Sequence, residues 1–273
     1  MGKKSCMSIL TFLVALVLFV PAQAVILQQA VQNPHRTPAF VERDRYRNPT
    51  ETLAFFELEN DMTVVEILPG GGGWYTEILA PFLRENGKLY AAQFNPEAER
   101  EYFRNARKAY MDKLAANPGI YDRVEVTVFD PAAGISIAPD SSADRVLTFR
   151  NVHSWYRSGG EENVQAAFAA IYDVLKPGGI LGVVAHRLAD DLPADMYHDS
   201  GYLHQLYVID MAEQAGLKLL DSSEINANKK DSSNHPHGVW TLPPALRLGD
   251  EKREHYLAIG ESDRMTLKFI KPE

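Results

Sequence analysis

The 273-residue chain has one cysteine, Cys6, and it falls within the first 24 residues, where a leader is expected. A disulfide framework and a cysteine-ligated zinc site are therefore excluded from the rest. Basic residues are in deficit: 28 Lys and Arg stand against 36 Asp and Glu, a formal charge of -8, and removing a leader that carries only Lys3 and Lys4 takes it to -10. Such a surface repels phosphate backbones and argues against nucleic-acid binding. Long apolar runs are also missing. The stretch from Ile9 to Val20, broken only by Thr11, would reach about 18 Å as a helix, short of a hydrocarbon core of roughly 30 Å, so no stable span is expected once the leader is cleaved. No H-E-x-x-H and no phosphate-binding G-x-x-x-x-G-K occurs, and the nearest approach to a serine-hydrolase elbow, residues 134–138, lacks its final glycine. The histidines His186, His198, His204, His235 and His237 show no ligand spacing, and no metal is expected.

What is present starts with that leader. Lys3 and Lys4 precede the apolar run, and Pro21-Ala22-Gln23-Ala24 follows it, with small residues placed for cleavage after Ala24. This pattern predicts a signal peptide over residues 1–24 and an exported protein, periplasmic or secreted. Residues 25–48, rich in Gln, Asn, Arg and Pro, form an N-terminal arm expected to lie over the domain, with Phe40 and Tyr46 as anchors. The remainder, residues 49–273, alternates strand and helix patterns. Strands are expected at 63–68, 88–93, 124–129, 144–149 and 180–185, and helices at 75–85, 96–116 and 161–175. Such alternation predicts a parallel sheet covered by helices on both faces. A helix at 201–216 and strands at 217–225 and 264–271 close the chain. The last two strands, joined without a helical pattern, pair most simply as antiparallel neighbours. The polar insertion between them, residues 226–263, is long enough to be either functional or mobile.

The sharpest local signal is Val65-Glu66-Ile67-Leu68-Pro69-Gly70-Gly71-Gly72-Gly73, a buried strand running into a glycine turn with a helix directly after it. Glycine lets the backbone approach a ligand closely, and a helix start offers unpaired amides. In an open parallel sheet this edge is where nucleotide-type ligands bind. A dinucleotide site would need a glycine where Tyr75 stands and an acid where Gln93 stands, so a nucleotide-dependent oxidoreductase is disfavoured.

The stretch Glu66 to Gly72 resembles the first motif, E/D-x-G-x-G-x-G, of class I S-adenosylmethionine-dependent methyltransferases. Leu175-Lys176-Pro177-Gly178-Gly179 is similar to the segment those enzymes carry before their fifth strand. The resemblance covers residues 49–273 and is nearest to exported bacterial members of that family. It implies a three-layer α/β/α, Rossmann-like fold with a seven-stranded sheet in the order 3-2-1-4-5-7-6 and strand seven antiparallel. It also implies S-adenosyl-L-methionine as cofactor and a small-molecule acceptor. Two departures stand out: Leu68 replaces the first motif glycine, and Gln93 replaces the acid that holds the cofactor's ribose.

Carried over by position, the resemblance makes Glu66, Gly70, Gly71, Gly72, Gln93, Asp130 and Asn151 the candidate cofactor contacts. Glu66 is expected at the amino-acid end and Asp130 at the adenine. His153, in the loop after the fourth strand, is the candidate base, since an ordinary histidine titrates near neutrality. His153, Trp155 and Tyr156 are the candidate substrate contacts. Asn151 to Tyr156 lacks the Asn/Asp-Pro-Pro-aromatic signature of nucleobase methylation, which again points away from nucleic acid. The lost acid at position 93 leaves a second reading open, an exported protein that binds an adenosyl compound or other metabolite without turnover.

Overall fold

A computed structural model describes residues 22–130, 133 and 137–273, with side chains from residue 25 onward, so the leader expected over 1–24 falls almost entirely outside it. The chain opens with α1 (Ala22–Val31) and three short helices, α2 (Pro38–Val41), α3 (Asp44–Arg47) and α4 (Pro49–Phe55). Then come β1 (Thr63–Ile67), α5 (Thr76–Leu83), β2 (Lys88–Gln93), α6 (Glu101–Ala116), α7 (Pro118–Tyr121), β3 (Val124–Val128) and β4 (Ala143–Phe149). The second half carries α8 (Val152–Val174), β5 (Leu175–His186), α9 (Tyr197–Ser200), α10 (Gln205–Gln214), β6 (Lys218–Ser223), α11 (Arg253–Ile259) and β7 (Arg264–Ile270).

The strands form one seven-stranded sheet in the order β3-β2-β1-β4-β5-β7-β6. β1 sits at its centre, parallel to β2 through Val64 opposite Leu89 and to β4 through Val64 opposite Arg145. Burial on both faces explains the unbroken apolar run of Val64 and Val65, each fully buried. β7 is antiparallel to both β5 and β6, as expected, although the connection from β6 is not free of helix, since the short α11 lies just before β7. One core layer packs α8 and α10 on the sheet, through residues such as Phe168, Ile171 and Val208. The other packs α1, α4, α5 and α6 through Leu27, Leu53, Ile78 and Tyr110. No helix among the described residues is long and apolar enough to cross a membrane.

The arm over residues 25–48 is pinned at both expected anchors. A Cβ on Gly72 would stand 2.8 Å from the Phe40 ring, and one on Gly260 would stand 2.7 Å from the Tyr46 ring, so each aromatic seats on a glycine. Polar ties add to this. Arg36 clasps Asp44 with bonds of 2.7 and 2.9 Å, and Thr37 donates its hydroxyl to Glu77 at 2.6 Å.

Two local expectations are corrected. The helix expected from residue 161 follows a break at Gly159 and Gly160, the latter with a φ/ψ of 65°/-152° that only glycine adopts without strain, but α8 also has an unexpected first segment that opens at Val152. Asn151, Val152 and His153 therefore open a helix and do not lie in a loop. The insertion is also more ordered than its polarity implies. Asp231 accepts hydrogen bonds from the Ser233 amide, the Tyr202 hydroxyl and the Asp263 amide at 2.7–2.9 Å, and His235 Nε2 lies 2.7 Å from it.

Candidate functional site

A cleft of about 1080 Å³ runs along the C-terminal edge of the sheet. The ends of five adjacent strands supply its floor: Glu66 to Gly70 after β1, Phe94 and Asn95 after β2, Phe129 and Asp130 after β3, Phe149 to Asn151 after β4, and His186 at the end of β5. Parallel strands end at one edge, and the loops diverge on either side of β1, so the cavity is a product of the strand order.

The turn after β1 keeps the backbone of a glycine motif even where the glycine is lost. Leu68 holds a left-handed φ of 46° and is fixed by its amide on Ala92 O at 2.8 Å. Gly70, φ 68°, lines the cleft, and a Cβ there would meet nothing within 4 Å because it would project into that open space. Gly71 and Gly72 do not line it, contrary to expectation. A Cβ on Gly71 would come within 3.3 Å of Ala106 O in α6, and one on Gly72 would meet Phe40, so these two are small to admit α6 and the arm.

Gln93 is likewise displaced from its expected role. It is fully buried, its Nε2 donates to Gly70 O at 3.0 Å and its Oε1 accepts from the Phe94 amide at 2.9 Å. The side chain is thus consumed in tying β2 to the glycine turn. Glu99, which the sequence pattern did not single out, lines this end of the cleft together with Asp130. Asn95 Nδ2 donates to Asp130 Oδ2 at 2.9 Å, and both residues line the cleft beside the stacked rings of Phe94 and Phe103, 4.6 Å apart.

Glu66 is buried and lines the cleft. Thr76 donates its hydroxyl to Glu66 Oε2 at 2.6 Å, so in the Tyr110–Thr76 contact of 3.2 Å the tyrosine is the donor. Burial pushes the Glu66 carboxyl up to about 7, with the Thr76 bond opposing the shift. Asn151 donates to Ile67 O at 2.8 Å and to Thr148 Oγ1 at 3.2 Å, which holds the ends of β1 and β4 together at the cleft floor.

The opposite half of the cleft is formed by the start of α8 and the insertion. His153 lines it, 5.2 Å from the His186 ring and 5.9 Å from Trp240. Burial, aided by Arg157 and Arg150, drives the His153 imidazole down to about 3. The expectation of a base titrating near neutrality is therefore corrected: the ring is neutral at pH 7 but binds a proton weakly. Trp155 lines the cleft and stacks on Phe129 with centroids 5.4 Å apart. Tyr156 does not line it; its ring packs edge-on against Tyr197 and Tyr207, because one residue along a helix turns the side chain away by about 100°. Sequence reasoning missed Tyr75, Arg150, Trp240, Arg247, Glu261 and Ser262, which all line the cleft. Tyr75 stacks on Phe149 at 3.5 Å, and Ser262 Oγ lies 2.6 Å from His186 Nδ1. Among the described residues no group of three or more His, Cys, Asp or Glu is gathered to hold a metal ion.

No family model matches the sequence, and no curated protein is similar enough to be matched. Solved structures do resemble the fold. The 4+2 cyclase SpnF superposes with a TM-score of 0.57 at 16% identity, over 92% of this chain and 93% of its own. A SAM-dependent methyltransferase from Aquifex aeolicus gives 0.52 at 20% identity, over 74% and 93%. The arsenic(III) S-adenosylmethionine methyltransferase of Chlamydomonas reinhardtii gives 0.51 at 13%, over 91% and 73%. With the strand order above, the chain has the class I SAM-dependent methyltransferase fold. Because one of these structures is a cyclase, the fold by itself leaves the reaction open.

Proposed function

We propose that the protein is an S-adenosyl-L-methionine-dependent methyltransferase acting on a small molecule, and that it works after export. The observation that carries this reading is the cleft over the five strand ends, with Glu66 and Gly70 on one wall and the Asn95–Asp130 pair at the β3 end. These residues suit an adenosyl sulfonium. Gly70 leaves open space where a side chain would stand, Glu66 provides a buried carboxylate for a cationic end, and Asp130 accepts from an exocyclic amine. Glu99, which lines the cleft, would hold the ribose hydroxyls that Gln93 cannot reach while it is bonded to Gly70 and Phe94.

When bound, this cofactor supplies a methyl group on a cationic sulfur that leaves readily. The protein's task is then alignment and exclusion of water, which can supply much of the acceleration. Asn151 fixes the floor, while Trp155 and Trp240 wall the acceptor space. His153, with its imidazole at about 3, is assigned the role of a neutral wall or hydrogen-bond partner and no proton removal. Titration of the purified protein with S-adenosylmethionine and S-adenosylhomocysteine by calorimetry tests the reading. Binding near the micromolar range, weakened about tenfold or more by Asp130→Ala, is expected from the loss of a charge-assisted hydrogen bond. Preference for NAD over both sulfur compounds would defeat it. Binding without any methylated product would favour the non-catalytic reading. An export-dependent reporter joined after Ala24 tests the leader, and an inactive fusion would remove the exported part of the proposal.

A further inference from the structure

The half of the cleft formed by α8 and the insertion holds cations that the protein does not pair. Arg150, Arg157 and Arg247 all line it, and among the described residues none of their guanidinium groups takes part in an ion pair or a hydrogen bond. Arg157 and Arg247 instead rest against the Trp240 ring, 4.7 and 5.1 Å from its centroid. Other arginines of the molecule are treated differently: Arg187 is clasped by both Glu224 and Asp263, and Arg36 by Asp44. The one acid lining this half, Glu261, is already shared by Arg43 at 2.6 Å and by Arg47 and Arg264 at 3.4 Å.

Arg150 is also held in place at some cost. Its backbone is left-handed, φ 64°, and its amide is fixed on Val184 O at 2.6 Å. A non-glycine residue is sterically disfavoured in that conformation, so the surrounding structure determines where this side chain starts. Arg150 is half-buried, whereas Arg157 and Arg247 are exposed at the mouth of the cleft; three cations without a carboxylate of their own repel each other there and favour any anion that enters. Binding the cofactor adds to the surplus, because its ammonium and sulfonium outnumber its single carboxylate.

We infer that the methyl acceptor is an anion, a small molecule whose carboxylate or phosphate sits among Arg150, Arg157 and Arg247 while its apolar body lies against Trp240 and His153. This inference rests on the methyltransferase reading of the cleft. The cofactor's own carboxylate is the other anion within the class. It arrives as part of a net cation, however, and one carboxylate offsets only one of the three positive charges.

Calorimetry on the full protein, with and without saturating S-adenosylhomocysteine, tests this using benzoate, phenyl phosphate and neutral benzamide as probes. At least one anion is expected to bind about tenfold or more tightly than benzamide, with an affinity that falls as salt is raised. Which anion wins separates a carboxylate acceptor from a phosphorylated one. The preference is expected to drop about tenfold in Arg157→Gln/Arg247→Gln, while S-adenosylhomocysteine binding stays within about twofold of wild type. Equal affinity for anions and benzamide, or no anion binding at millimolar concentration, overturns the inference. So does a loss of S-adenosylhomocysteine affinity in Arg150→Gln with 5′-methylthioadenosine binding intact, since Arg150 then serves the cofactor's carboxylate. Lysine replacements at the same three positions, which keep the charge, are expected to retain the anion preference and so separate charge from folding. Failure of both sulfur compounds to bind wild type, with anion preference intact, would instead defeat the cofactor reading alone.

Discussion

Thr76 donates to Glu66 across 2.6 Å, and that hydroxyl is the only hydrogen bond the buried carboxylate receives among the described residues. One bond does not offset burial, so the carboxyl stays protonated up to about 7. Its folded-state value is raised above the unfolded one. As pH climbs from about 4.5 to about 7, the unfolded chain gives up this proton before the folded chain does, and stability falls over that window. Relative to Glu66→Gln, the wild type is expected to lose on the order of 3 kcal/mol between those limits. Urea unfolding of both proteins at pH 4.5, 6 and 8 measures the difference, and a flat difference rules out a protonated Glu66. In the other direction, affinity for S-adenosylhomocysteine is expected to rise with pH through about 7 and to lose that slope in the variant.

Glu261 gives the opposite acid response. Burial alone would raise its carboxyl, but Arg47, Arg264 and Arg43 outweigh burial and hold it at about 2. Its folded-state value is depressed, so its contribution is present above pH 4.5 and is lost as pH falls toward 2. Glu261→Gln leaves three arginines around a neutral amide and is expected to cost about 3–5 kcal/mol. Thermal melts at pH 7 are the check, with a fall in Tm on the order of 10 °C expected for a domain of this size.

The Gly72–Phe40 contact predicts a non-additive pair. Gly72→Ala places a methyl 2.8 Å from the ring and pushes the arm outward, at a cost of about 1–3 kcal/mol. In a Phe40→Ala background the same substitution meets open space and is expected to cost much less. A double-mutant cycle by chemical denaturation reads the coupling, and strict additivity would show that the arm does not press on the turn.

His153 is expected to stay silent in a proton NMR titration between pH 5 and 8, because its imidazole is already neutral across that range. A ring resonance shifting near pH 6.5 in the free protein, assigned through His153→Gln, would contradict the burial described here. Anion binding beside Arg150 and Arg157 removes two of the charges that depress it, so the titration is expected to move upward when an anionic probe is bound.

The sheet was readable because its determinants are local. The alternation of apolar strand runs with helical patterns marks the parallel sheet, whereas the order of its strands came from the resemblance at Glu66 to Gly72, and the short α11 before β7 left no pattern that was recognised. Of the residues singled out from the sequence, Glu66, Gly70, Asp130, Asn151, His153 and Trp155 line the cleft. Gln93, Gly71 and Gly72 misled because a motif position says which residue is near a ligand in other chains, while here packing against α6, the arm and the turn claims the same atoms. Arg150 and Glu261 were invisible for another reason. Arg43 and Arg47, which reach Glu261 from 218 and 214 residues away, and Arg150, which lies in the same field, are brought together only by folding, and no periodicity records such a charge balance.

Trp240 and Arg247 belong to a segment whose entry and exit are clamped by adjacent antiparallel strands, Ser223 lying opposite Thr266. That clamp fixes the two ends of the stretch and leaves its middle, around Trp240 to Arg247, as the part that can vary. Changes around Trp240 and Arg247 can therefore reshape the mouth of the cleft, provided the tethers at the two ends of the stretch, Asn226 on Thr52 and Thr266 and Ser262 on His186, are kept.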